Sequence, residues 1–352
     1  MNAAAATRLA MVVLFLAMPP GLARAESNPP AHAAEEETAA FQKAAAYSKW
    51  HGGLAMVVMK DGAVIFEDYA KGIAPDRPLN LYSGTKSFAC AISTAAAQNG
   101  LLELDEPVAK TIGEWQGDPA KARITIRHLL SLTSGLDAGS RGSIPTYAEA
   151  LQAKVKHEPG AVFEYGPVPY QIFGEVMSRK LHASGENPLD YLKRRILAPA
   201  GLTIGEWRMD KAGNPRMPAG AFLTAREWGK YGQLMLDRGR WGGTTVLDEA
   251  RLAECFNGSA ANPGYGLTFW LPTQRNGIAP YSGKSTDHIA AKLLASGAHG
   301  DIIEAAGRGG QKLYIMPSQR LVIVRFANRW SLWTLGFRAT AFLGPVLQHY
   351  AQ

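Results

Sequence analysis

Cysteine is scarce in this sequence, which has only Cys90 and Cys255 among its 352 residues. Two cysteines do not make a disulfide-stabilised scaffold, and no Cys/His spacing is typical of a zinc site. Cys90 follows Ser83 by seven residues on the same stripe of a predicted helix, so we expect it to point inward as a buried free thiol. A Cys90–Cys255 disulfide is the alternative for an exported protein. The sequence predicts neither a metal ion nor another cofactor.

A hydrophobic run long enough to cross a membrane is also missing. The apolar run at residues 9–18 has about ten residues, whereas a spanning helix needs about 20. Arg8 precedes this run and the sequence Ala-Arg-Ala follows it at 23–25, a pattern that predicts a signal peptide over residues 1–25, cleaved after Ala25. An uncleaved anchor is the alternative. We expect an exported, soluble protein, periplasmic or secreted, with no stable membrane insertion.

The chain has no basic cluster with interleaved aromatic residues, so the sequence does not suggest a nucleic-acid partner. Its 37 Lys and Arg and 30 Asp and Glu give a formal net charge of +7. Removal of the signal peptide takes away Arg8 and Arg24 and no acid, which lowers the charge from +7 to +5. This excess is spread along the chain and favours anionic substrates only weakly.

Composition shifts divide the mature chain into a short extension and one folded domain. Residues 26–53 are predicted as a linker and a first helix, the linker being the acidic, proline-containing stretch 26–38. Residues 54–352 are predicted to form the folded domain, with a mostly helical subdomain at about 124–255.

Strand signals lie at both ends of this domain. Two β-rich runs flank Asp61-Gly62, a strong hairpin signal, and "QKLYIMP" and "RLVIVRFAN" read as strands near the C-terminus. Between them, Thr125 is placed to cap a helix, and "SLWTLGFRATAFLGPVLQHY" is predicted to close the chain as another helix. The fold class is therefore α/β, of the α+β kind, with one antiparallel sheet built from distant segments, flanked by helices and carrying an inserted helical subdomain.

A serine and a lysine stand three residues apart in "YSGTKSFACA", where the strand-rich opening gives way to a helix. That spacing places Ser83 and Lys86 side by side on one helical face. A serine hydroxyl is a poor nucleophile until a neighbour accepts its proton, and Lys86 can do so if burial or nearby positive charge lowers its pKa. A helix start also leaves N–H groups free, so the Ser83 N–H can form half of an oxyanion hole. The alternative is a helix-capping serine beside a solvated lysine.

Five stretches in sequence order resemble the serine hydrolases of the class C β-lactamase and penicillin-binding-protein-like family, especially its esterase and 6-aminohexanoate-dimer hydrolase-type members. They are the S-x-x-K element of Ser83 and Lys86, "ITIRHLLSLTSGLD", "PGAVFEYGPVPYQIFGEV", "AGAFLTAREWGKYGQLMLDRGRWGG" and "AAGRGGQKLYIMPSQRLVIV". They span roughly residues 54–328. The resemblance implies a β-lactamase/transpeptidase-like fold and chemistry through a Ser-linked acyl-enzyme.

The resemblance also implies three further site residues. Tyr165 matches the motif tyrosine, which passes the proton to the leaving group; a core aromatic hydrogen-bonded to the backbone is the alternative. Gly307 would let a substrate approach the strand edge closely. The backbone N–H of Arg308 is the implied second oxyanion donor.

The chain departs from the family pattern in two places. Pro167 stands where the family has the Asn whose amide grips a substrate carbonyl, and Ala305-Ala306-Gly307 stands where it has Lys-Thr-Gly or His-x-Gly. Both changes remove groups that recognise β-lactams and peptidoglycan peptides, and they leave the acylation groups intact. The Arg308 side chain could replace the missing lysine as a carboxylate clamp.

We therefore expect an exported serine hydrolase that cleaves a small-molecule ester or a small amide. A β-lactamase or D-Ala-type peptidase is one alternative, and a catalytically silent binding domain of the same fold is another. His128 is expected to pack rather than to act as a base. Tyr265 and Trp270 are expected either to line the cleft or to pack beside it.

Overall fold

The computed structural model describes residues 31–140, 142–272, 301–328 and 336–351. The predicted signal peptide lies outside the described residues. The helices are α1 (Ala31–Trp50), α2 (Ser87–Gln98), α3 (Ile126–Leu130), α4 (Tyr147–Leu151), α5 (Val168–Lys180), α6 (Pro188–Leu192), α7 (Ala225–Leu236), α8 (Glu249–Ala253) and α9 (Ala339–Tyr350). The strands are β1 (Gly53–Lys60), β2 (Ala63–Tyr69), β3 (Leu79–Asn80), β4 (Glu206–Trp207), β5 (Ala221–Leu223), β6 (Arg240–Trp241), β7 (Thr244–Thr245), β8 (Ile303–Gly307), β9 (Gln311–Met316) and β10 (Leu321–Ala327).

The main sheet joins the two ends of the chain, as the sequence predicts. Its order is β2-β1-β10-β9-β8, and every neighbouring pair is antiparallel. The β1–β2 hairpin turns at Asp61 and Gly62, both at positive φ, which is the backbone conformation that an Asp-Gly turn supplies. Strand β8 lies at one edge of the sheet, and its end at Gly307 faces the start of the helical part of the fold.

Helices cover both faces of the sheet. Along β1, Met56 and Val58 pack toward α1 and α9, whereas Val57 and Met59 join the larger core that contains α2 and α7. The alternation follows from the pleat, which sends successive side chains to opposite faces. Because both faces are buried, the central strands are almost continuously apolar in sequence. The fold class predicted from the sequence is confirmed.

The middle of the chain supplies the helical part that borders the sheet. Helices α3 to α8 lie between residues 124 and 255, together with the short strands β4 to β7, which the sequence did not predict. Thr125 caps α3 as expected, since its side chain accepts the His128 N–H at 3.2 Å. No helix in the described part of the chain combines the length and the apolar character needed to cross a membrane.

Two predictions need correction. Helix α1 begins at Ala31, inside the stretch 26–38 that was predicted as a linker, because its alanines and glutamates are strong helix formers. The free-thiol prediction for Cys90 is wrong: Cys90, in the first turn of α2, forms a disulfide with Cys255, which follows α8. The two residues are 165 positions apart, and only the packing of α2 against α8 brings them together.

Candidate active site

Ser83 lies in a tight turn that links the short strand β3 to α2. A 3-10 turn covers Tyr82–Lys86, and α2 continues from it at Ser87, so the helix predicted from Ser83 starts in two steps. Tyr82 has a φ of 48°, a strained conformation for a residue with a side chain, and the Asn80 side chain accepts its N–H at 2.7 Å. Such strain persists only where neighbouring contacts impose it, and here those contacts fix Ser83 at the start of the turn.

The Ser83 N–H comes before the first backbone hydrogen bond of this turn and has no role in the helical hydrogen-bond pattern. Gly84 donates the first i to i−3 bond, to the Leu81 carbonyl at 3.0 Å. The N–H of Ser83 precedes that bond and lies at the positive end of the combined turn and helix. A backbone donor at this position can stabilise negative charge that develops beside the serine hydroxyl.

Lys86 is buried against the serine. Its Nζ lies 3.2 Å from Ser83 Oγ and donates to the Pro218 carbonyl at 3.0 Å, and the residue is only 4% exposed. Burial lowers the pKa of Lys86 from 10.5 to about 7, since the ammonium loses its hydration. Within the described residues, no carboxylate forms an ion pair with Lys86 that would offset this loss. A substantial fraction of the lysine is therefore a neutral amine at neutral pH, able to accept the serine proton.

The Tyr165 ring lies directly beside this pair. The Lys86 Nζ is 5.0 Å from the centre of that ring, and Trp270 stacks on the ring at 5.8 Å between centres. Tyr165 is only half-buried in the described part of the chain. The structure thus brings Ser83, Lys86 and Tyr165 together, although they come from two separate segments of the chain.

Two further tyrosines, Tyr170 and Tyr265, are buried next to Tyr165. The Tyr170 and Tyr265 hydroxyls are 2.9 Å apart, and the Tyr170 hydroxyl also donates to the Leu130 carbonyl at 3.1 Å. Burial raises the pKa of both phenols well above 10, so both stay protonated. Tyr265 is therefore a packing residue, and Trp270 is the member of the predicted pair that reaches the site.

The end of strand β8 closes the site on the other side. A Cβ placed on Gly307 would lie 2.0 Å from the Leu81 carbonyl, so only glycine allows this strand to approach the turn that carries Ser83. Arg308 follows at the start of the β8–β9 turn, with its side chain exposed. Ala305 is buried and Ala306 is half-buried, and neither provides a charge.

Some contacts of the site were not predicted from the sequence. The Pro218 carbonyl and Tyr170 carry no local signal, because their roles depend on tertiary contacts. Asn80 could have been recognised, since an Asn two residues before a turn residue commonly accepts its N–H. His128 belongs to the α3 cap, where its Nδ1 accepts the Thr125 N–H at 3.2 Å, in agreement with its expected structural role. Across the described ranges, no cluster of His, Cys, Asp and Glu could hold a metal ion.

The depressed pKa of Lys86 predicts a pH-dependent cost of burying it. Between pH 7 and 10.5 the unfolded lysine binds a proton that the folded one does not, so stability rises with pH in this window and is lowest below it. We expect Lys86→Met to be more stable than the wild type at low pH, with the difference shrinking by up to about 1.4 kcal/mol per pH unit as the pH rises. Urea unfolding at several pH values measures this difference.

The control is Lys71→Met at the surface, whose stability difference from the wild type should stay small throughout. A difference for Lys86→Met that does not change between pH 7 and 10.5 would contradict the buried, depressed amine.

The chain is similar to known proteins in sequence and in fold. Protein flp of Staphylococcus aureus is 25% identical over 171 residues, which cover 43% of this chain and 34% of that protein. The chain thus spans about a third of the length of this curated relative. A candidate 6-aminohexanoate-dimer hydrolase of Bacillus anthracis has a TM-score of 0.64 at 20% identity, covering 86% of this chain and 78% of that one. A family VIII carboxylesterase has a TM-score of 0.62 at 16% identity, covering 88% and 97%.

At these identities the structural likeness establishes the fold alone. The model of the beta-lactamase family matches residues 32–341, nearly the whole of the described domain. The chain belongs to the beta-lactamase family.

Proposed function

We propose that this protein is a serine hydrolase that cleaves an ester or a small amide through an acyl-enzyme on Ser83. The observation that carries the proposal is the 3.2 Å contact between Ser83 Oγ and the buried amine of Lys86, whose pKa is lowered to about 7. A neutral amine at this distance can act as the general base that a serine nucleophile needs. Membership of a family of hydrolases supports the same class of reaction.

The reaction proceeds in two half-steps. Ser83 Oγ attacks the substrate carbonyl carbon, and the Ser83 hydroxyl proton passes to Lys86 Nζ. The attack converts the carbonyl into a tetrahedral intermediate whose oxygen carries the negative charge. The bond to the leaving group then breaks, and the proton leaves with the alcohol or amine. Water attacks the acyl-enzyme in the same manner, releases the acid and restores Ser83.

Tyr165 and two backbone groups complete the mechanism. The Tyr165 ring lies beside Lys86, so its hydroxyl can relay the proton between the lysine and the leaving group. The N–H groups of Ser83 and Arg308 are the donors for the oxyanion, and a donor of this kind contributes about 3–4 kcal/mol to the transition state.

Three described positions, Pro167, Ala305 and Ala306, support the proposed substrate class. Pro167 has no side-chain amide for a substrate carbonyl, and Ala305 and Ala306 have no charge for a substrate carboxylate. The lack of an amide and of a charge at these positions favours an ester or a small amide over a β-lactam or a D-Ala peptide. A carboxylesterase and a candidate 6-aminohexanoate-dimer hydrolase have the same fold, which is compatible with this substrate class.

Pre-steady-state hydrolysis of a p-nitrophenyl ester tests the proposal. We expect the wild type to release one equivalent of p-nitrophenol in a rapid burst, because acylation precedes slower deacylation, and Ser83→Ala to show none. The same assay with a chromogenic cephalosporin decides the substrate class. A burst with the cephalosporin alone would favour a β-lactamase. No burst and no turnover with any ester, amide or β-lactam would favour a silent binding domain.

Tyr165→Phe, assayed with an alkyl ester whose alkoxide leaving group must be protonated, tests the proton relay. We expect kcat to fall at least about tenfold with little change in thermal stability, because the variant keeps the ring of this half-buried residue and loses only its hydroxyl. Tyr265→Phe is the matched control, since it removes a buried hydroxyl from the same aromatic cluster. A kcat for Tyr165→Phe equal to that of the wild type at every pH would assign Tyr165 to packing.

We further propose that the mature protein is exported after cleavage behind Ala25. The support is the signal-like pattern of residues 1–25 and the Cys90–Cys255 disulfide, since disulfides persist mainly in oxidising compartments. N-terminal sequencing of the protein recovered outside the cytoplasm should begin at Glu26, and a non-reducing peptide map should contain the linked pair. A protein that stays in the cytoplasm with its first residues intact would contradict this proposal.

A further inference from the structure

Arg325 is a fully buried arginine in β10 without a carboxylate partner among the described residues. Its guanidinium donates instead to three neutral oxygens: Ser48 Oγ at 2.9 Å, the His51 carbonyl at 2.8 Å and the Gly310 carbonyl at 2.7 Å. The guanidinium also lies 3.8 Å from the centre of the Phe337 ring. Burying a charge without a counterion costs free energy that burying an apolar side chain does not. The hydrogen bonds of Arg325 therefore indicate which backbone segments this side chain fixes in place.

Gln311 makes a second set of buried contacts to the β8–β9 turn, which contains Gly310. Its side-chain amide pairs with Ala327 in both directions at 2.8 Å, as a peptide group would in a β-ladder. The same Nε2 also reaches the Arg308 carbonyl at 3.2 Å and the Gly309 carbonyl at 3.4 Å. The amide thereby extends the pairing of β9 with β10 beyond Lys312, the last residue of the regular register.

Together these two side chains hold every carbonyl of the turn at 308–310. Gly309 and Gly310 have φ values of 82° and 81°, so this turn has the backbone freedom that only glycine allows and needs outside contacts to fix it. A Cβ on Gly310 would lie 2.4 Å from Arg325 Nη1, which shows how closely the arginine packs there.

These contacts lie on both sides of the peptide unit that carries the Arg308 N–H. That unit joins Gly307, which pairs with Gln311, to Arg308, whose own carbonyl in the next peptide unit accepts from Gln311 Nε2. We propose that Arg325 and Gln311 are positioning residues that aim the Arg308 N–H at the oxyanion during acyl transfer. This inference rests on the proposed function, because it assigns a purpose to the second oxyanion donor.

Gln311→Met and Arg325→Lys test the inference. Both should lower kcat/KM for a p-nitrophenyl ester about 10- to 100-fold, mainly through kcat, because a misplaced donor weakens the transition state more than the bound substrate. The matched controls are Gln319→Met and Arg320→Met, at the opposite end of the same hairpin, and they should keep the activity of the wild type.

The decisive readout is the ratio of kcat/KM for an oxoester to that for the matching thionoester, whose sulfur accepts hydrogen bonds weakly. Loss of oxyanion donation should slow the oxoester more, so this ratio should fall in both variants. The ratio is measured on one sample and is therefore independent of the fraction of protein that is folded. A ratio equal to that of the wild type in both variants would overturn the inference and leave the two residues with a purely structural role.

Different outcomes of this experiment would overturn the proposed function and the positioning role. Wild-type protein without an acyl-enzyme burst would overturn the proposed function itself. A wild type with a Ser83-dependent burst, combined with unchanged oxoester-to-thionoester ratios in the variants, would overturn only the positioning role.

Discussion

The chemistry proposed for this protein depends on the desolvation of one amine. Lys86 lies almost entirely out of solvent, with Ser83 Oγ and the Pro218 carbonyl within hydrogen-bonding distance and no carboxylate ion pair in the described ranges. A paired lysine would keep its proton and could not act as a base at neutral pH. Burying this amine without an ion pair costs free energy of folding. Packing of the interior around α2 offsets that cost.

The sheet provides the second half of the site, at some distance along the chain. Gly307 at the edge of the sheet contacts the backbone just before Ser83, so the nucleophile and the turn of Arg308 are set against each other by one close backbone approach. Arg325 then connects this turn to the end of α1 through Ser48 and the His51 carbonyl. Helix α1, which supplies none of the proposed catalytic groups, is thereby linked to the oxyanion side of the site.

Local features of the sequence predicted those parts of the structure that depend on neighbouring residues. The Asp61-Gly62 hairpin follows from turn chemistry, the Thr125 cap from a side chain that accepts a nearby N–H, and the Ser83–Lys86 contact from helical spacing. Tyr165 lies in the segment before α5, and no local pattern predicts that a tyrosine there contacts Lys86. Only its match to the family motif indicated its role.

Long-range contacts could not be predicted in the same way. The Cys90–Cys255 bond depends on how α2 packs against α8, and the buried oxygens around Arg325 come from α1, the β8–β9 turn and the turn after α1. The stacking of Trp270 on Tyr165 joins two segments more than a hundred residues apart. Residue types alone do not specify such pairs, since each depends on the complete tertiary arrangement.

The central claim is that a neutral, buried Lys86 activates Ser83. The most direct test is the rate at which a fluorophosphonate modifies the wild type as a function of pH, with the modified residue located by peptide mass spectrometry. The account predicts modification of Ser83 at a rate that rises about tenfold per pH unit below about pH 7 and levels off above it. A rate that does not change across this range, or modification of a different residue, would contradict the account.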